Sequence, residues 1–236
     1  MIDIHSHIIP GVDDGAETLV DSVEIVRELV AQGVTDIIAT PHFVDGSVYE
    51  SPREKNKELF AELLTVLKER GIGVNIYLGN EVYITERIDQ LIKDGMISTL
   101  ADGKYILVEL PLNGEYTNYE DILESLGYFG YQVILAHPER YGIFQEDYSR
   151  LLNLCEMGIL LQCNIGSVIG KYGKDVKKQV KRLMKEKMVF CFGSDMHHAR
   201  GKNEIAAAMK KMRKYYSESE LERVLVRNPR NILKNS

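Results

Sequence analysis

Short runs rich in Ile, Val and Leu, each followed by a stretch with helical spacing of apolar residues, recur along the whole chain. They occupy residues 2–5, 36–40, 74–79, 105–110, 132–136, 159–164 and 188–192. Several are almost continuously aliphatic, the pattern of parallel strands covered on both faces. Between them, residues 18–32 place Leu19, Val23, Val26 and Val30 on one face, with Gly33 as a stop. Residues 51–70 put Pro52 at a first helical position and carry the stripe Leu59, Leu63, Val66 and Leu67. Residues 203–216 align Ile205, Met209, Met212 and Tyr216, a stripe suited to core packing. Alternating strands and helices imply parallel pairing with right-handed crossovers. Seven strands are one fewer than the TIM barrel's eight, so the expected architecture is α/β: a distorted seven-stranded TIM-like (β/α) barrel. The 236 residues contain no repeat, low-complexity tract or Pro/Gly/Ser linker, which predicts a single domain over 1–236.

In such a barrel the C-terminal strand ends converge on one face, where active sites lie. His5 and His7 follow the first strand, His42 the second, His137 the fifth, and His197 and His198 the seventh. Glu81 lies just past the third strand, Glu109 ends the fourth and Asp195 lies just past the seventh. Residues two apart on a strand share a side, so His5 and His7 in Asp3-Ile4-His5-Ser6-His7 can grip one ion. Asp195-Met196-His197 repeats that alternation near the other end of the chain. Asp13-Asp14-Gly15 forms a loop from which a carboxylate can turn back toward the site, although both acids also suit a turn or helix start. Glu81 also suits a helix cap or a rim position. Glu109 sits in an otherwise apolar strand, where an unpartnered carboxylate is costly; a metal ion or a buried ion pair would relieve that cost.

The candidate metal ligands are therefore His5, His7, Asp14, His42, Glu81, Glu109, His137, Asp195 and His197. This set exceeds the needs of one ion and suits two or three ions sharing carboxylates. Nitrogen and oxygen donors without sulfur disfavour a structural zinc and suit Mn²⁺, Fe or catalytic Zn²⁺. Such a centre attracts an anion and can hold hydroxide at neutral pH. Arg140, three residues beyond His137, offers a planar fork that matches two phosphate oxygens, unless it pairs with Glu139 or another acid. Arg200 is a second cationic candidate for touching substrate; His198 reads as a surface or supporting residue ahead of a substrate contact.

Lys plus Arg number 29 against 35 Asp plus Glu, a net charge of -6 that opposes nonspecific nucleic-acid binding. No apolar run approaches the roughly 20 residues that span a bilayer, and the first residues lack a secretory pattern. A cytoplasmic location is expected, with the three cysteines, Cys155, Cys163 and Cys191, as buried thiols. A Cys nucleophile of the phosphatase kind needs an Arg six positions later. Leu161, Ile169 and His197 stand there instead. The basic stretch Lys171, Lys174, Lys177, Lys178, Lys181, Arg182, Lys185 and Lys187 reads as a solvated helix face or as a docking patch for an acidic partner.

The D-I-H-S-H start, the V-D-D-G loop, T-P-H, the acids at 81 and 109, H-P-E-R and S-D-M-H occur in that order. Together they resemble the polymerase and histidinol phosphatase (PHP) family, and within it the bacterial manganese-dependent protein-tyrosine phosphatases encoded with capsule or exopolysaccharide genes. The resemblance runs from residue 2 to the N-P-R-N-I-L segment. It implies the PHP fold with three divalent ions: His5, His7, Glu81 and Asp195 on one, Glu81 shared with a second completed by Glu109 and His137, and Asp14, His42 and His197 around the third. Arg140 matches the family's phosphate-binding arginine. A further arginine follows the last metal motif in the family; Arg200 is the candidate, in a setting that departs from the usual one.

The expected activity is hydrolysis of phosphotyrosine by metal-activated hydroxide, on a phosphotyrosine-containing protein such as a bacterial tyrosine kinase controlling capsule synthesis. A small-molecule phosphatase of the same family, such as histidinol phosphatase, is the alternative. A metal-stabilised regulatory protein without turnover is an alternative of another class. A nuclease role fits poorly with the acidic chain, and a homo-oligomer is compatible with the sequence.

Overall fold

The structure, a computed structural model, describes residues 1–114, 116–199 and 203–234. Its strands are β1 (Ile2–Ser6), β2 (Asp36–Ala39), β3 (His42–Phe43), β4 (Asn75–Leu78), β5 (Glu81–Tyr83), β6 (Tyr105–Glu109), β7 (Gln132–Ala136), β8 (Leu160–Asn164) and β9 (Val189–Gly193). All pair in parallel, in sheets ordered β1-β2-β4 and β3-β5-β6-β7-β8-β9. Every predicted strand position is filled, but the second and third are each broken in two. Pro41 has no N–H to offer a ladder, so the second strand stops at Ala39 and resumes at His42. The third breaks at Gly79-Asn80, which makes Glu81 the first residue of a short strand rather than a residue beyond one.

The buried Asn80 side chain ties the two breaks together. Its Nδ2 donates to the Pro41 carbonyl at 3.1 Å, and its Oδ1 accepts the Ser98 N–H at 2.9 Å. On the other side, β1 meets the segment after β9 through a Ser6–Met196 bridge, with the His7 N–H donating to the Met196 carbonyl at 3.0 Å and the Asp195 N–H to the His5 carbonyl at 2.9 Å. The strand positions thus follow one another in chain order, and their C-terminal ends lie together.

Helices α1 (Leu19–Ala31), α2 (Arg53–Glu69), α3 (Ile88–Lys93), α4 (Tyr119–Tyr128), α5 (Gly142–Glu146), α6 (Tyr148–Glu156), α7 (Ile165–Ile169), α8 (Lys174–Lys185), α9 (Glu204–Met212), α10 (Glu218–Glu222) and α11 (Asn228–Leu233) cover the strands. Thr18 opens α1 with a capping box closed by Asp21. Pro52 precedes the first turn of α2 rather than occupying it, and Leu63 and Leu67 form that helix's buried stripe. Helix α8 buries Val176, Val180, Leu183 and Met184 and leaves its lysines outside. The large core lies between helices and strands. A smaller one, with Ile2, Ile4, Ile38, Leu107, Ile134 and Cys191, fills the space enclosed by the strands.

Within β1 the register against β2 runs from Asp3 opposite Ile37 to Ser6 opposite Ala39, an extra residue on β1. Such a bulge re-aims the side chains that follow it. It lets His5 and His7 face the same enclosed space as Ile2 and Ile4. Gly193 on β9 leaves room for this: a Cβ there would lie 2.7 Å from the His5 Cβ.

At the second strand break, a Cβ on Gly79 would lie 2.8 Å from Leu100 Cδ2 and 3.3 Å from both the Leu100 Cα and Ile38 Cγ2. Overpacking of this kind costs about 1–3 kcal/mol. Gly79→Ala is expected to lower the urea midpoint accordingly with an unchanged slope, whereas Gly73→Ala, in open space, leaves it in place.

Candidate metal centre

At the C-terminal strand ends the predicted residues come together. The Glu81 carboxylate is central: Oε2 lies 3.1 Å from His5 Nε2, 3.4 Å from His7 Nε2 and 3.1 Å from His42 Nδ1, and Oε1 lies 2.9 Å from His137 Nε2. His42 stands opposite Glu81 because β3 and β5 pair in register there. Glu109, at the end of β6, is 3.6 Å from both His42 Nδ1 and His137 Nε2. Asp195 Oδ1 faces His5 at 3.6 Å, His7 at 3.5 Å and His197 at 3.4 Å. Asp14 reaches in from the loop after β1, with Oδ1 3.3 Å from His197 Nε2 and 3.5 Å from His42 Nε2.

Among the described residues, three groups have ligand atoms within 4.8 Å of one another: His5, His7 and Glu81; His42, Glu81 and Glu109; and His7, Asp14, His42 and His197. His42 therefore presents one nitrogen to Glu81 and Glu109 and the other to Asp14, rather than standing only with Asp14 and His197. His137 and Asp195 both sit in the left-handed backbone region, at φ 32° and 49°. Non-glycine residues rarely adopt that conformation, and it recurs at functional sites.

Residues not anticipated as contributors hold these donors in place. Asp195 Oδ2 accepts from Asn164 Nδ2 at 2.6 Å, which orients the Asn164 amide so that its Oδ1 accepts from Gln162 Nε2 at 2.9 Å. Gln162 Oε1 is then the acceptor for His5 Nδ1–H at 2.8 Å, leaving His5 Nε2 directed at the centre. His7 is fixed in the same sense by Asp13, whose carboxylate accepts from His7 Nδ1 at 2.8 Å, the His42 N–H at 2.9 Å and the Gly15 N–H at 2.9 Å. The signal for Gln162 and Asn164 was their two-residue spacing in an apolar strand. Asp13 was indistinguishable from a turn residue.

The electrostatics fit a cationic occupant. Burial alone would raise Glu81 and Asp195, yet the surrounding imidazoles outweigh it and hold both well below the carboxylate range. Glu109 goes the other way: burial, then repulsion from Glu81 and Asp195, pushes it up to about 9. Asp14, hydrogen-bonded by His197, is lowered to about 2. Burial opposes the charged forms of His5 and His7. Glu81 and Asp195 nevertheless raise His5, and Asp13 holds His7 well above the imidazole range. His42 is lowered by burial. Protons thus balance the carboxylates in the protein alone. Glu81 Oε2 and His42 Nδ1 are buried and face each other without a hydrogen bond, as atoms that share a cation would.

Arg140 lies beside this cluster, with Nη1 donating to Asp195 Oδ2 at 3.0 Å and its guanidinium stacked 4.5 Å from the centre of the Tyr172 ring. Glu139 points elsewhere, accepting from the Asn164 N–H at 2.8 Å and the Ser167 hydroxyl at 2.6 Å. Two cavities of about 300 Å³ each flank the cluster, and Asp14, Arg140, Asp195 and His197 line both. Lys171 and Tyr172 contribute to one, Tyr49 and Tyr83 to the other. His198 is exposed, and its ring is 6.4 Å from that of His197. Arg200 lies outside the described residues. Cys163 and Cys191 are buried and Cys155 partly so. Burial raises all three thiols, Cys155 to about 11, which leaves none as a ready nucleophile.

A family model described as capsular polysaccharide synthesis, CpsB/CapC, matches residues 1–234. The tyrosine-protein phosphatase YwqE of Bacillus subtilis is 34% identical over 236 residues, covering 100% of this chain and 92% of that protein. The tyrosine-protein phosphatase CpsB of Streptococcus pneumoniae is 30% identical, covering 99% of this chain and 98% of that one. A solved structure described as YwqE from Bacillus subtilis and CpsB from Streptococcus pneumoniae, unique metal-dependent tyrosine phosphatases, superposes with a TM-score of 0.92 at 33% identity, over 100% of this chain and 95% of the other. Histidinol phosphate phosphatase from Lactococcus lactis, solved with zinc, L-histidinol and phosphate, shares the fold at a TM-score of 0.59 and 18% identity, over 91% of this chain and 93% of that one.

A divalent cation entering this cluster must displace the protons that balance it. Glu109, pushed up to about 9, holds a proton at pH 7, and His5 and His7 are shifted in the same direction. Mn²⁺ loading should therefore release protons, and apparent affinity should climb as pH rises toward 9. Calorimetric titration in buffers of different ionisation enthalpy measures this release; a count of zero at pH 7 would contradict the assigned charge balance.

Proposed function

The chain belongs to the CpsB/CapC family of capsular polysaccharide synthesis, and from that premise we propose that it is a metal-dependent protein-tyrosine phosphatase. Its substrate would be a phosphotyrosine-bearing protein, such as a bacterial tyrosine kinase acting in capsule synthesis, met in the cytoplasm. The observation that carries this reading is the junction of the imidazole–carboxylate cluster with Arg140 along shared cavities. The full-length similarity to proteins named tyrosine-protein phosphatases supports it.

We assign three divalent cations, manganese in the first place and iron or zinc as substitutes, to His5, His7, Asp14, His42, Glu81, Glu109, His137, Asp195 and His197. When bound, such cations supply Lewis acidity toward phosphoryl oxygens and lower the pKa of water enough for a nucleophile to exist at neutral pH. The protein's own part is to bind and orient. Arg140, held on one edge by Asp195 and on its face by Tyr172, recognises the phosphoryl group and offsets charge on its equatorial oxygens. Gln162 and Asp13 keep the protons of His5 and His7 on Nδ1, so that Nε2 remains the donor atom of each. The phenolate leaving group, with a pKa near ~10, departs with less protonic help than an alkoxide.

Replacing one ligand and one phosphate contact separates their roles. His42→Ala is expected to lose bound manganese and phosphotyrosyl-peptide hydrolysis together. Arg140→Ala keeps its metal content and loses about 100-fold or more in rate, the scale for removing a charge-stabilising donor. Metal analysis beside peptide turnover reads both, and unchanged turnover in the two variants would remove the site. Faster hydrolysis of histidinol phosphate than of the peptide would favour the small-molecule reading; intact metal without turnover would favour a regulatory role.

A further inference from the structure

The catalytic reading leaves the basic stretch of α8 unused. Helices α8 and α9 enclose a cavity of about 230 Å³ floored by Val180 and Met184 and ringed by Lys177, Lys181, Lys211 and Lys214, with no carboxylate in its lining. Lys177, Lys181 and Lys214 are exposed, and among the described residues none of them has an ion-pair partner. Lys211 is anchored, its Nζ donating to the Ile169 carbonyl at 3.2 Å. Some basic groups nearby are matched, Arg182 by Glu186, Arg213 by Glu218 and Lys171 by Glu204. Lys174, Lys178 and Lys185 on the outer face of α8 also stand without an ion pair among the described residues but do not line the depression. Four ammonium groups around one depression, none with a carboxylate partner among the described residues, in a chain of net charge -6, repel one another and favour an anionic guest.

One short segment of chain, residues 169–172, borders both this depression and a cavity of the metal centre. Lys211 contacts Ile169, and Lys177 Nζ lies 3.6 Å from where a Gly170 Cβ would stand. The next two residues, Lys171 and Tyr172, line a cavity of the centre together with Arg140. The lysine-ringed depression and the cavity lined by Arg140 thus lie on either side of residues 169–172.

We propose that this groove docks an acidic stretch of the same polypeptide whose phosphotyrosine occupies the centre. The inference rests on the phosphatase reading. A peptide fits better than a membrane because the lysines ring a depression with an apolar floor, which an extended chain can enter and a flat bilayer cannot.

The test compares three substrates: a phosphotyrosyl peptide flanked by glutamates, the same peptide with glutamines, and p-nitrophenyl phosphate. Wild-type protein should show a KM about tenfold lower for the glutamate peptide, the sum expected from a few exposed charge pairs. That advantage should fade at high salt. The triple variant Lys177→Glu/Lys181→Glu/Lys214→Glu should lose it, with kcat and p-nitrophenyl phosphate hydrolysis unchanged; the corresponding Gln variant should fall between. Equal KM values for both peptides in wild type, or a preference that survives charge reversal, would overturn the proposal. Anisotropy with a labelled, unphosphorylated glutamate peptide reads docking without catalysis. If p-nitrophenyl phosphate is not hydrolysed, the phosphatase reading fails, while this binding and its loss in the triple variant still decide the groove. Sedimentation with phosphatidylserine vesicles but no binding of the glutamate peptide would also overturn it.

Discussion

Three carboxylates, Glu81, Glu109 and Asp195, are gathered into one buried volume, and much of the structure answers the electrostatic cost of doing so. Each acid alone would be costly to remove from water. Here five imidazoles surround them, from His5, His7, His42, His137 and His197. Two of the imidazoles are themselves held from behind, His5 by the Gln162 amide and His7 by Asp13. The ring from Asp195 through Asn164 and Gln162 to His5, and back to Asp195, gives each of these polar groups a partner of the right kind. Asp195 also serves two neighbours at once: one oxygen faces imidazoles, while the other holds Arg140 and Asn164.

The strand irregularities serve the same end. A regular β1 would carry alternate residues to opposite faces, so Ile4 and His5 could not both face the enclosed space. The extra residue between Asp3 and Ser6 removes that conflict. The breaks at Pro41 and at Gly79-Asn80 shift the second and third strands from one sheet to the other, and they bring His42 and Glu81 opposite each other across the second.

Most strand positions are legible in the sequence because parallel strands buried on both faces are nearly continuous in aliphatic residues. The breaks are not, since β3 and β5 span only two and three residues, too short for a periodicity to register. Histidines and acids at strand ends stand out against apolar runs, so the gathering of His5, His42, Glu81 and Asp195 could be anticipated from their places alone. Which partners Gln162 and Tyr172 take could not. The His5–Gln162 bond joins residues 157 positions apart, and the stacking of Arg140 on Tyr172 depends on how α7 and the turn after it return to the strand ends. Asp13 and Asp14 are adjacent in sequence yet face different partners, His7 and His197, a division that only the loop's path decides.

The bridge between β1 and the segment after β9 has a consequence for biosynthesis. His5 and His7 are made long before Asp195 and His197, which close the cluster over them. A nascent chain that has not yet reached Asp195 therefore carries its His-x-His pair without the acid and the imidazole that meet it in the fold, and the donor cluster assembles only once these distant segments pair.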